Sequence, residues 1–249
     1  MGSAPTDVDS LAKTAGSIAA HAMRSAYVRH TLLSMEVEQV ADLLTLVMAG
    51  AEARRAGHGE LLQSISLALA SDSCDEVRLA VASLLAARQQ VELARAFIRE
   101  EVEEEAETQR VPDFGKGRIL TLGERKALAR RNDRDTIARV LRDPHPDVIR
   151  IVLGNPGLTE THVIRLVSRR PASREVQREV FNSARWVVRY PVKVALLLNP
   201  YTPLDVGLQL APLLTQPDLK RAGAAQDLRE DLREVCKRLI GSTADTVLH

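Results

Sequence analysis

Aromatic residues make up only 3% of this 249-residue chain: three Phe, one Trp and three Tyr. This argues against a site built of aromatic walls and favours helices over sheets, because sheets draw on aromatic and β-branched side chains. Only two cysteines are present, Cys74 and Cys236, and they form no CxxC pair. Neither a disulfide framework nor a zinc site is indicated, and two buried thiols in a reducing cytoplasm is the expectation. No apolar run reaches the roughly 18 residues of a membrane span, and the N-terminus lacks the charged-then-apolar pattern of a signal peptide. The six histidines never fall into HxxxH or HExxH, and no serine sits in GxSxG. Metal-assisted hydrolysis and nucleophilic catalysis thus have no sequence support. Gly115-Lys116-Gly117 has neither the spacing nor the flanking strand of a phosphate-binding loop. No catalytic residue, metal or cofactor is expected, and the chain reads as a non-enzyme.

Ala, Leu, Val and Arg dominate what is present, a composition that favours helices. The net charge is +1, so the whole chain carries no bulk polyanion signal. Its distribution is uneven. Residues 1–110 hold 10 Lys/Arg against 17 Asp/Glu, and residues 111–200 hold 18 against 9. Such asymmetry marks an interaction surface or a contact between the two parts.

Apolar spacing predicts helices over 8–27, 35–56, 60–70, 74–88 and 89–107. Ser73-Cys-Asp-Glu76 and Thr121-Leu-Gly-Glu124 have the form of capping boxes, in which a hydroxyl and a carboxylate satisfy free amides at a helix start. Glu100–Glu107 places carboxylates at a helix C-terminus, against the macrodipole, unless a basic surface compensates. Pro112, Gly115 and Gly117 mark a linker. The expected organisation is an acidic helical part over 1–108, a linker over 109–120, a basic repeat part with a C-terminal cap over 121–241, and a mobile tail over 242–249.

One phrase is written twice. Val148-Ile-Arg-Ile-Val-Leu-Gly-Asn155-Pro156-Gly-Leu-Thr159 is answered by Val192-Lys-Val-Ala-Leu-Leu-Leu-Asn199-Pro200-Tyr-Thr-Pro203, with the Asn-Pro pairs 44 residues apart. Each copy is a short apolar helix that ends at Asn-Pro and is followed by a Thr that opens another. A 44-residue period is typical of helical repeat arrays. The phrase resembles the bacterial leucine-rich repeat variant, a relative of HEAT and armadillo repeats, over roughly residues 134–214. That resemblance implies an all-α solenoid of short stacked helices and a binding role. Some members of that family carry an iron–sulfur cluster on N-terminal cysteines, but this chain has no such cysteine cluster.

Arg139, Arg142, Arg150, Arg165, Arg169, Arg170, Arg178, Arg185, Arg189 and Lys193 recur once or twice per helix, which in a stacked array makes a stripe. Guanidinium groups suit acidic segments and phosphates. Arg150 and Lys193 are lone charges on apolar inner helices and must reach water or a partner. Trp186 and Tyr190 lie four residues apart, interleaved with Arg185 and Arg189, the residue types favoured at interface hot spots. The residues expected to bind a partner are thus Arg139, Arg150, Arg165, Arg185, Trp186, Arg189, Tyr190 and Lys193. The functional expectation is a cytoplasmic scaffold or adaptor for an acidic protein partner or a second copy of itself. Two rivals stand behind it: a HEAT-like nucleic-acid binder, and a nucleotide-sensing regulator, to which the RxxD and RxxxR spacings in Arg130-Arg131-Asn132-Asp133-Arg134 point.

Overall fold

A computed structural model describes residues 7–100, 111–114 and 117–246, with side chains to residue 241. The described residues contain sixteen α-helices and no strand. The chain begins with α1 (Val8–Ser17), α2 (His21–Leu33), α3 (Val37–Glu52), α4 (His58–Leu69), α5 (Asp75–Ala87) and α6 (Val91–Arg95). It continues with α7 (Leu122–Leu128), α8 (Arg134–Val140), α9 (Pro146–Leu153), α10 (Glu160–Val167), α11 (Arg174–Asn182), α12 (Ala184–Val187) and α13 (Tyr190–Leu197). Last come α14 (Leu204–Leu210), α15 (Gln216–Ala224) and α16 (Glu230–Thr246). No described helix is long and apolar enough to cross a membrane.

Two compact units divide the chain. The first joins residues 1–100 to 204–249, and the second spans 101–203. This differs from the expected organisation, which kept 204–241 with the repeats. The first unit is tied across long sequence separations. Gln209 Nε2 donates to Ala96 O at 2.6 Å, and Arg54 Nη2 to Leu214 O at 2.6 Å. Arg95 meets Asp231 at 2.6 Å, while Arg229 meets Glu100, whose other oxygen accepts from Leu204 N. Its core is built from Val28, Leu32, Val40, Leu44, Val47, Leu61, Leu62, Ile65, Val81 and Leu85, none more than 1% exposed. Each such side chain contributes about 1.5–3 kcal/mol on burial. Gly50 admits the ring of buried His58, because a Cβ there would lie 1.9 Å from its Cδ2.

Several local expectations are corrected. The 8–27 helix breaks at Ile18–Ala20, where Arg24 Nε and Nη2 both donate to Ile18 O and cap α1. The Ser73–Glu76 capping box does not form. A 3₁₀ turn over Asp72–Cys74 buries Cys74, α5 starts without a side-chain cap, and Ser73 Oγ instead pairs with Ser71 Oγ. A capping box that sequence reading missed, Glu36 with Gln39, opens α3. The helix expected over 89–107 has its helical residues at Val91–Arg95, and residues 101–107, including most of the acidic run, lie outside the described residues. Lys116 and Gly115 lie outside them as well. The expected tail from 242 is helical as far as Thr246.

In the second unit the written repeat becomes a repeated contact. Asn155, just past α9, donates through Nδ2 to Ala129 O (3.1 Å) and Arg131 O (2.8 Å), and its Oδ1 accepts from Gly157 N (2.9 Å). Asn199, just past α13, donates to Val167 O (2.6 Å) and Arg169 O (2.9 Å) and accepts from Tyr201 N (2.9 Å). The last carbonyls of a helix have no intrahelical partner. In both copies an asparagine supplies one, closing the last helix of a block onto the C-terminus of the first. The blocks are α7–α8–α9 and α10–α11–α12–α13, and α9 packs on α11. Thr121, Asp133, Thr159 and Ser173 cap α7, α8, α10 and α11, and prolines open α9 and α13 near their first turns. The core here contains Val148, Ile149, Val152, Val163, Val167, Val180, Val192, Leu196 and Trp186.

Candidate functional site

The sequence-predicted residues fall into three groups. The first surrounds Trp186, which is only 1% exposed and donates Nε1 to Leu153 O at 2.7 Å. Arg185 and Arg189 lie over its ring, 4.6 and 5.1 Å from the centroid. Arg185 also donates to Asn155 O at 3.0 Å, and Arg189 pairs with Glu160 at 2.8 Å. A ring held between guanidiniums with its N–H on a helix C-terminus is a block-to-block fastener. Trp186 is thus corrected from an interface anchor to a core residue. Tyr190, at the start of α13, is 36% exposed.

In the second group the charge is internally matched. Arg150 reaches Glu179 with two nitrogens, at 2.9 and 2.7 Å, and Asp147 at 3.2 Å. The lone cation on this apolar helix therefore serves neighbouring carboxylates. Lys193, its counterpart on α13, is half-buried.

Arg139 and Arg165 belong to the third group. Both are exposed. Arg139 lies near the end of α8, three residues before exposed Arg142, and Arg165 lies near the end of α10, four residues before Arg169. Arg169 Nη1 donates to Leu141 O, the carbonyl beside Arg142, which draws the end of α10 to the end of α8. Burial pushes the Arg169 guanidinium below its ordinary pKa, and the nearby charge of Arg142 pushes it the same way. Among the described residues none of these four arginines meets a carboxylate. Arg139 makes only a long contact to Phe114 O, at 3.5 Å. Sequence reading had Arg142 and Arg169 in the stripe but could not single them out. What the structure adds is that their two guanidiniums lie near enough to repel and that, among the described residues, neither forms an ion pair.

Residues of the RxxD and RxxxR spacings are occupied by helix ends. Asp133 caps α8 through Thr136 N at 2.8 Å, Arg130 donates to Lys126 O, and Arg131 O accepts from Asn155. Among the described residues no three His, Cys, Asp or Glu side chains gather to hold a metal ion. Compared with protein-family models, curated proteins and solved structures, the chain gives no match.

Proposed function

We propose that this protein is a non-catalytic adaptor that holds an acidic segment of a protein partner against Arg139, Arg142, Arg165 and Arg169. The three-helix and four-helix blocks are read as successive turns of an α-solenoid related to the leucine-rich repeat variant, and the arginines line one edge of it. The observation that supports this reading is the like-charge pair Arg142 and Arg169, with exposed Arg139 and Arg165 a few residues before each. Arg118, Arg125, Arg150 and Arg189 of the second unit are spent on carboxylates, whereas these four meet none among the described residues and two of them repel each other. Carboxylate side chains supplied from outside would make charge-assisted, bidentate hydrogen bonds there. A protein segment is favoured over nucleic acid because the single Trp is buried and offers no stacking platform to bases. Two buried thiols fit a reducing cytoplasm.

Fluorescence anisotropy with a Glu/Asp-rich labelled peptide tests this. Arg142→Glu/Arg165→Glu should weaken binding by about tenfold or more, since each lost charged contact is worth about 1.5–3 kcal/mol. The control Lys13→Glu/Lys220→Glu changes the net charge equally at exposed sites in the first unit and should bind as the unaltered chain does. Equal binding by both variants would refute the site. Tighter binding of a single-stranded oligonucleotide than of the peptide would favour the nucleic-acid reading instead.

A further inference from the structure

The first unit holds a cavity of about 280 Å³ between α3, the α5–α6 turn, α14 and α16. Its floor is apolar, made by Met48, Leu93, Leu208 and Val235. Three charges stand at its wall: Glu52, Glu92 and Arg238. They are not evenly matched. Arg238 turns both terminal nitrogens to Glu92, a two-point pairing, and reaches Glu52 only at 3.6 Å. The guanidinium is thus shared: it pairs closely at two points with Glu92 and meets Glu52 through one longer ion pair. Thr45 Oγ1 donates to Gln90 Oε1 at 3.2 Å, which fixes an amide on the same wall. The wall as a whole carries one net negative charge over an apolar floor.

We propose that this cavity is a binding site for a small aliphatic monoamine, with its ammonium group on the Glu52 carboxylate and its carbon chain on the apolar floor. An anionic ligand finds no unspent cation here, because Glu92 occupies Arg238. A neutral ligand leaves Glu52 as it is. A diamine would bring a second charge onto Met48 and Leu208, where nothing pairs with it. The volume, about 280 Å³, lies just below the range of ligand pockets, about 300–1,000 Å³, so the ligand has few heavy atoms. The protonation behaviour of Glu52 agrees: burial pushes its pKa above the ordinary carboxylate range, Arg238 pulls it down, and Glu92 pushes it up again. Arg238, shared with Glu92, offsets only part of that burial, and an ammonium ion would add a second counter-charge. The groups facing Glu52 are Glu92 from α6 and Arg238 from α16, with Gln89 and Gln90 from the turn between α5 and α6.

Isothermal titration of the full chain with n-butylamine and with n-butanol, of equal length and uncharged, tests the site. Near neutral pH the amine should bind saturably, and the alcohol about tenfold more weakly or not at all. Glu52→Gln should weaken amine binding by about tenfold. Acidification should do the same, because protonation of Glu52, favoured by its raised pKa, removes the charge that holds the ammonium. Ala49→Phe leaves Glu52 in place and sets a ring on the exposed part of the lining, where it should also weaken binding. Circular dichroism checks both variants; if one fails to fold, the other carries the test. Absence of saturable butylamine binding, equal affinity for butanol, or undiminished binding in a folded variant would each overturn the proposal.

Discussion

Replacing Asn155 by alanine removes three hydrogen bonds at once, and the three do not cost the same. Ala129 O is buried, so losing its partner carries the full penalty of an unmet polar group, about 2 kcal/mol within a range of 1–3. Arg131 O and Gly157 N are only partly buried, so water can replace the amide at about 0.5–1 kcal/mol each. The expected loss is about 3 kcal/mol in the second unit. With a urea slope of about 1.5 kcal/mol/M this moves the midpoint by about 2 M. Trp186 is the only tryptophan, and its Nε1 sits on Leu153 O, two residues from the substitution. Its fluorescence therefore follows the unit that is perturbed, even if the two units unfold separately. Asn155→Asp keeps the acceptor for Gly157 N but turns a carboxylate toward two carbonyl oxygens, and should cost more than alanine. Asn199→Ala should cost less than Asn155→Ala, because Val167 O retains Gln177 Nε2 at 3.3 Å. A loss below about 0.5 kcal/mol for Asn155→Ala, or an aspartate milder than alanine, would refute the view that this side chain locks the block.

Three further outcomes are expected. Arg125 and Asp143 form a buried ion pair at 2.6 Å with Asp143 fully enclosed, so Arg125→Ala should destabilise by about 3–5 kcal/mol, and Arg125→Met/Asp143→Leu should recover at least half of that in denaturant titrations. Glu124 is held at a pKa of about 2 by Arg118, and then by the backbone and hydroxyl of Thr121. Its folded pKa lies below the ordinary 4.5, so its help to α7 is complete above that value and fades as pH falls toward 2; carboxyl NMR should show Arg118→Ala moving the midpoint upward. Burial pushes the Cys236 thiol up to about 11, and Cys74 is fully enclosed, so a disulfide reagent should label neither in the native chain and both after denaturation.

The helical class, most of the helix starts and the twice-written Asn-Pro phrase were determined by the sequence alone. Each rests on local chemistry: apolar spacing, a hydroxyl or carboxylate that reaches a free amide within three residues, and a proline whose missing N–H costs nothing in the first turn. The partners of those Asn side chains were not legible, because Asn155 reaches back 24–26 residues and Asn199 30–32. Nor was the use of each arginine. Arg150 and Arg142 look alike along the chain, yet among the described residues one meets Glu179 and the other lies beside the Arg169 guanidinium without an ion pair. Trp186 reads as an anchor because hot spots favour its type, and only packing shows it enclosed by two arginines. The allocation of residues 204–246 to the first unit rests on contacts such as Gln209 to Ala96 and Arg238 to Glu92, 113 and 146 residues apart. Tertiary structure decides these matters because hydrogen bonding and charge pairing depend on which groups are brought within about 3 Å of each other, and periodicity specifies only the face from which a side chain sets out.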